Sequence, residues 1–497
     1  MLYWSLMSTL LAEPPAHART VLIDADSKQK PRTVDLLNDW QYVEKSIHRL
    51  IAAWGKDIAE WNDKSTIHRH IWDQAECVRR LRERVEQFPG GKADAPVSSR
   101  LEDLVNAALL APSFNDALDG IYELLLKTLV GAYGEYTAAV HPIHDAPTIA
   151  LLHEINQIKS QQWLWYRDYR RRHPHKTDAA YRSNITTQLA AVGQFRAPLP
   201  VTRGAEAKPA GVATGFRLSR FSARTEPIRP KYSFMDYVRA DFVTSIEARR
   251  LFWAYGYMLE KNLPDDQLNW LYYGHYMPWE WHHDISRHLW DESRHGDSGY
   301  SRLQDFGISL DEVGFSGYDQ AQRDEELKKI AAERGIPLEE AYARQRELLA
   351  PYKADPITPA QLYEHVFMIG MVAETGHFVV KNEGYVDFKE GQDLESAEMM
   401  LFDIIDETAH VQYAHKWLPL LAEHAGVDNT GYRERGAKIR EESLARANQT
   451  AGELDRKLPR TPGDPTYDFY QDLLTRIRAT YPLANAATCP PRSPKPM

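Results

Sequence analysis

The sequence predicts an all-α protein of two successive helical bundles, the second a four-helix bundle with one long crossover. Three observations carry this. Long stretches of the 497 residues place apolar side chains at helical spacing, with few β-branched alternations. Proline and glycine gather at a few points, where they break the periodic runs. Each half then divides into four segments of helical length.

The first block, 34–172, holds helix-like segments at 40–61, 67–88, 118–139 and 148–170. A polar connection follows, 173–230, whose APLPVTRGAEAKPAGVATG has little periodicity and reads as a linker or an extended wrapping segment. The second block, 231–426, opens with a helix over 232–262 that Leu263-Pro264 stops. Its second helix covers 279–306, after Pro278. The third covers 359–384, with Thr358 as N-cap and Pro359 at the first helical position, and the fourth covers 395–426, closed by Gly426. The charged stretch 307–358 separates the middle helices and reads as a solvated surface helix on a long crossover. Residues 427–497 form a C-terminal helical extension and a tail.

Composition excludes several classes. The chain has 43% hydrophobic residues, enough for two cores. Seventy acidic against 60 basic residues, net −10, leave no basic footprint for nucleic acid. Two cysteines, Cys77 and Cys489, are too few for a disulfide framework, a cysteine-rich zinc site or a rubredoxin-type iron. No stretch approaches the roughly 20 apolar residues of a membrane span. The N-terminal apolar run lacks a basic region before it, so a cytoplasmic protein is expected.

The chemistry lies in Glu-x-x-His, which sets a carboxylate and an imidazole one turn apart on one helical face. Four copies occur, Glu280/His283, Glu292/His295, Glu374/His377 and Glu407/His410, and with 19 histidines in the chain the count alone proves little. Their order says more. Helix one carries a lone Glu247 amid apolar residues, helix two Glu292 and His295, helix three Glu374, and helix four Glu407 and His410. A glutamate from each of two helices, with Glu-x-x-His from each of the other two, is a set of six ligands for two divalent ions. Glu280/His283 lies about 120° round the helix and belongs to another face.

With WDESRH at 290–295 and DETAHVQYAHKW at 406–417, the 232–426 region resembles the ferritin-like di-iron carboxylate superfamily, in its bacterial oxygenase and oxidase form. The resemblance implies a ferritin-like bundle and two iron ions (manganese or a mixed pair as alternatives) held by Glu247, Glu292, His295, Glu374, Glu407 and His410. It also implies that Asp291 and Asp406 hydrogen-bond the liganding histidines. His377 stands either as a seventh ligand or as an outer hydrogen-bond partner, and so does Asp403, one turn before Glu407. Tyr413 reads equally as pocket wall or core.

The first block repeats the frame without the ligands. WDQAEC at 72–77 follows Arg69-His70-Ile71 as WDESRH follows Arg287-His288-Leu289, yet Gln74 and Cys77 stand where the later copy has Glu292 and His295. Glu154 and Gln157 align with Glu407 and His410 to within a residue, and Glu44, Glu123 or Glu135 are the remaining acids. The block thus reads as a degenerate ferritin-like bundle that cannot hold two metals, and the shared frame, His288 included, as packing.

The expected function is a dioxygen-dependent oxygenase or oxidase acting on a small organic substrate by hydroxylation, N-oxygenation or oxidative cleavage. The aromatic stretch LYYGHYMPWEW, 271–281, supplies either pocket walls or core. No reductase motif is visible, so electrons come from an external donor or the substrate. A homodimer is compatible with the family. The alternatives are a ferroxidase or peroxide-reducing protein with the same ligands, and a metal-free helical scaffold.

Overall fold

A computed structural model describes residues 32–202, 204–224, 232–315 and 320–480. The N-terminal apolar run and the end of the C-terminal tail, 481–497, lie outside the described residues. The described residues are mainly helical and include no strand; Ser98 and Glu206 form an isolated bridge. None of their helices is long and apolar enough to cross a membrane.

The chain forms two compact units. Of the described residues, those up to 222 with 275–286 make the first, and those within 223–274 and from 287 on make the second. The first unit is built on Arg32–Trp54, Trp61–Glu86, the segment 114–139 and Ala146–Arg172. Trp40, Val43, Ile47, Ile71, Val78, Leu81, Ile121 and Leu125 recur at helical spacing and are fully buried. The stretch expected to be a linker packs on this unit. Its Ala179–Ala191 helix buries Tyr181, Ile185 and Leu189, and the Tyr181 hydroxyl donates to the Ala108 carbonyl at 2.8 Å. A helix with three inward apolar positions is too weakly periodic to stand out beside so much Pro, Gly and Ala.

In the second unit the expected 232–262 helix is divided. Met235–Asp241 ends early, and Ile246–Leu259 begins afresh where the Ser245 hydroxyl accepts from the Ala248 N–H. A short 3₁₀ turn, Glu260–Asn262, leads into Leu263–Tyr273, so Pro264 opens a helix rather than closing one. Proline lacks an N–H that the first turn does not need, and it suits either role. Trp279–Asp305 and Leu394–Ala425 follow the sequence closely, and Gly426 closes the latter at φ 65°. Residues 427–480 add two helices. The second, Pro465–Thr480, inserts Tyr470, Leu473 and Ile477 into a core with Phe234, Tyr237, Leu251 and Leu303.

The third long helical segment of each unit carries an eight-residue π-helical stretch, Asp119–Leu126 in the first and Phe367–Glu374 in the second. Such stretches widen the helix by one residue per turn and re-aim the side chains that follow.

Candidate metal centre

The second unit buries a cluster of acids and imidazoles, most of which two of its helices supply in a regular pattern. Trp279–Asp305 contributes His288, Asp291, Glu292 and His295. Leu394–Ala425 contributes Asp403, Asp406, Glu407 and His410, at the same offsets of zero, three, four and seven. Those offsets keep all four side chains of each helix on one face. Glu374, the last residue of the π-helical stretch, and Glu260, in the 3₁₀ turn, complete the set. Gly299 permits the approach on one side: a Cβ there would lie 2.3 Å from the Met258 backbone nitrogen, two residues from Glu260.

The groups fall into two overlapping pockets. His288, Glu292, Glu374 and His410 each place a donor atom within 4.8 Å of the others. Glu260, Glu292 and His295 form one further group of this kind, and His295, Asp403 and Glu407 another. His288 Nε2 lies 2.9 Å from Glu374 Oε1, and His410 Nδ1 lies 3.4 Å from Glu292 and 3.5 Å from Glu374. On the other side His295 Nδ1 lies 3.3 Å from Glu260, 3.5 Å from Asp403 and 3.8 Å from Glu292. Ligands about 2.1 Å from one ion stand within roughly 4.4 Å of each other, so this spacing suits two ions.

The outer contacts cross between helices. His410 Nε2 meets Asp291 Oδ2 at 3.3 Å, and His295 Nε2 meets Asp406 Oδ2 at 3.3 Å. Arg287 Nε donates to Asp291 at 2.8 Å and Arg294 Nη2 to Asp406 at 2.7 Å. With Nε2 of each imidazole committed outward, Nδ1 faces the pocket. Six buried atoms there lie within ion-pair distance of one another or of His288 but make no well-aligned hydrogen bond: Glu260 Oε2, His295 Nδ1, both oxygens of Glu374, Glu407 Oε2 and His410 Nδ1. Buried polar atoms left this way are costly, and a shared cation satisfies them together.

Charge points the same way. Asp291 and Asp406 are neutralised by Arg287 and Arg294, and Asp403 is 2.8 Å from the buried Lys381 ammonium. Glu260, Glu292, Glu374 and Glu407 remain, four carboxyl groups whose charge two divalent ions would balance once Glu260, pushed up to about 8 by burial, gives up its proton. Without metal the imidazoles respond to those anions. Burial opposes the charged form of His410, but Asp291, Glu374 and Glu407 outweigh it and hold its pKa well above the usual histidine value. His295 is raised likewise against burial, by Asp403, Asp406, Glu260 and Glu292.

Of the sequence-predicted ligands, the structure brings together Glu292, His295, Glu374, Glu407 and His410, with Asp403 beside them. Glu247 does not join them. It sits in the first turn of its helix, about 20 Å along the axis from the helix's far end, where Arg478 Nε donates to it at 3.0 Å and Ser245 Oγ at 3.0 Å. Glu260 occupies the place expected for it. His377 is exposed and belongs to neither pocket, whereas Lys381, seven residues beyond Glu374 and within about 20° of it round the helix, is buried. His288, expected only to pack, lies in the first pocket. It stands one turn before Glu292, as Asp403 stands before Glu407, and this repeated offset was the missed signal. The aromatic stretch 271–281 is largely core, with Tyr272, Trp279 and Trp281 buried.

The first unit has no such cage at the matching place. Lys159 Nζ donates to Glu44 Oε2 at 2.6 Å and also to Gln74 Oε1, and Tyr133 donates to Glu44 at 2.9 Å. Burial pushes the Cys77 thiol up to about 12 and, with Lys159 and Arg69, pulls His70 down to about 3. Glu123 pairs with Lys127, Glu135 with Arg196 and Glu154 with Arg80, all towards the surface. The alignment of Glu154 with Glu407 is therefore displaced: Lys159 and Gln162 are among the inward residues of that helix, and Glu154 is not.

No protein-family model, curated protein or solved structure matches this chain.

Proposed function

We propose that the second unit is a ferritin-like di-metal carboxylate centre, and the protein a dioxygen-dependent oxygenase or oxidase of a small organic substrate. The first unit, on this reading, is a degenerate copy of the same bundle. The observation that carries the proposal is the pair of matched four-residue faces, 288/291/292/295 and 403/406/407/410. Their histidines are each held by the aspartate of the other helix, around four glutamates whose charge no neighbouring cation fully balances.

Glu292 would bridge the two positions, because it contributes to both pockets. His288, Glu374 and His410 would complete one, and Glu260, His295, Glu407 and Asp403 the other. Two reduced irons so held would supply electrons and open coordination positions for dioxygen chemistry. The chain's own work is to orient the imidazoles through Asp291 and Asp406, and to exclude water with a shell including Trp253, Tyr257 and Trp270, all buried. Electrons for turnover would come from a separate donor or from the substrate.

Anaerobic loading with Fe(II), desalting, metal analysis and exposure to air test the reading. Retained iron with an air-dependent optical change is expected. Absence of retained iron would overturn it in favour of a metal-free scaffold, and iron retained unchanged in Glu292→Ala would overturn it by placing the metal elsewhere.

A further inference from the structure

The two pockets are not equivalent, and Lys381 makes the difference. It lies two turns beyond Glu374 and is 1% exposed. Its ammonium reaches Asp403 at 2.8 Å and Glu407 Oε1 at 2.7 Å, both of them groups of the second pocket. Tyr257 donates to Asp403 as well, at 2.7 Å. The first pocket has two imidazoles, His288 and His410, and no lysine within its group; the second has one imidazole and, besides the shared Glu292, three carboxylates.

We infer that Lys381 is an internal cation that competes for the second metal position, so that the two ions bind unequally and in order. The inference rests on the di-metal reading above. Imidazole is the better donor for iron-like ions, and carboxylate oxygen alone selects weakly among hard cations. The His288 pocket therefore fills first and tightly. The second ion enters only as Glu407 is released from Lys381, which then keeps Asp403 alone.

The first unit supports this independently. There a lysine on the fourth helix, Lys159, is 1% exposed and bonded to Glu44 at 2.6 Å beside Gln74, the residue at the Glu292 position of the repeated frame. An ammonium has taken the whole of that centre, and Lys381 holds part of this one.

Stepwise anaerobic titration of the full chain with Co(II), followed through its visible bands, should resolve two steps whose affinities differ by about tenfold or more. In Lys381→Met the second step should tighten by a similar factor, and iron retained after Fe(II) loading and desalting should rise from about one to about two per chain. In Lys381→Arg it should stay near one. A single step of two equal sites in the wild type overturns the inference without needing any variant to fold. An unchanged second step in Lys381→Met overturns it also. The parent reading fails differently: the wild type then retains no metal, with or without Lys381.

Discussion

The centres of the two units share a frame and differ in what touches the middle. Each has Arg-His-aliphatic-Trp-Asp on its second helix and a π-helical stretch on its third. In the second unit that stretch ends in Glu374, in the first in Leu126. Gln74 and Cys77 stand at the sequence positions that correspond to Glu292 and His295. Where one unit gathers four glutamates with imidazoles, the other balances Glu44 against Lys159 as a single neutral pair. The packing frame is thus common to both, while one centre holds an excess of buried carboxyl groups and the other a single carboxylate–ammonium pair. A buried site in that second condition has no electrostatic use for a divalent ion.

The difference is broken most directly at Glu292, which belongs to both pockets. Glu292→Ala should reduce metal retained after anaerobic loading to background, read by metal analysis, while Gln74→Ala in the first unit leaves it unchanged. The next effect belongs to the first unit. Lys159→Met strands Glu44 in a site with no exposure and should cost roughly 3–5 kcal/mol, read from urea denaturation of the full chain. Adding Glu44→Gln should recover much of the loss, and neither change should alter metal retained by the second unit. Recovery of metal binding in the first unit by Lys159→Met alone would contradict the comparison.

A smaller effect tests the crossed contacts. Asp291→Asn weakens the anchor of His410 and leaves Arg287 and Arg294 with less to bind. Metal affinity should fall by about 10–100-fold, as for other groups that orient a liganding histidine, and Asp406→Asn should act alike through His295. A competition assay with a metal-binding dye would measure both. If the two variants leave affinity intact, the aspartates only bind the arginines.

Helices were legible where caps and long periods agreed. Thr358 and Pro359 open one helix with a reciprocal capping box to Gln361, and Gly426 closes another. The pair Glu292/His295 and its partner Glu407/His410 were legible because three residues return to one face in any helix. Three features were not. Reading 232–262 as one helix hid the break at Ser245 and put Glu247 in place of Glu260. Lys381 carries no motif, since a lysine seven residues beyond a glutamate is ordinary on a solvated face and acquires meaning only from the carboxylates of another helix. Lys159 was missed for the same reason, and the alignment of Glu154 drifted because no local rule says which face of that helix is inward.

The smallest expected effect settles which glutamate belongs to the centre. Glu247→Gln should leave both steps of the Co(II) titration unchanged, whereas Glu260→Gln should weaken or abolish the second. Glu247 has a different task at the start of its helix, where a negative charge opposes the exposed N–H groups and pairs with Arg478. Burial works against its charge, but its backbone N–H, Arg478 and Ser245 outweigh that and hold its pKa below the ordinary carboxylate value. The stabilisation is therefore complete above the unfolded carboxylate pKa and is lost as pH falls through the lower folded value. Glu247→Gln should cost up to about 1 kcal/mol near neutrality, and the gap from the wild type should close in acid. Melting temperature against pH gives the answer. A gap that stays constant would mean that Gln fails by its packing, and that the charge contributes nothing at this helix end.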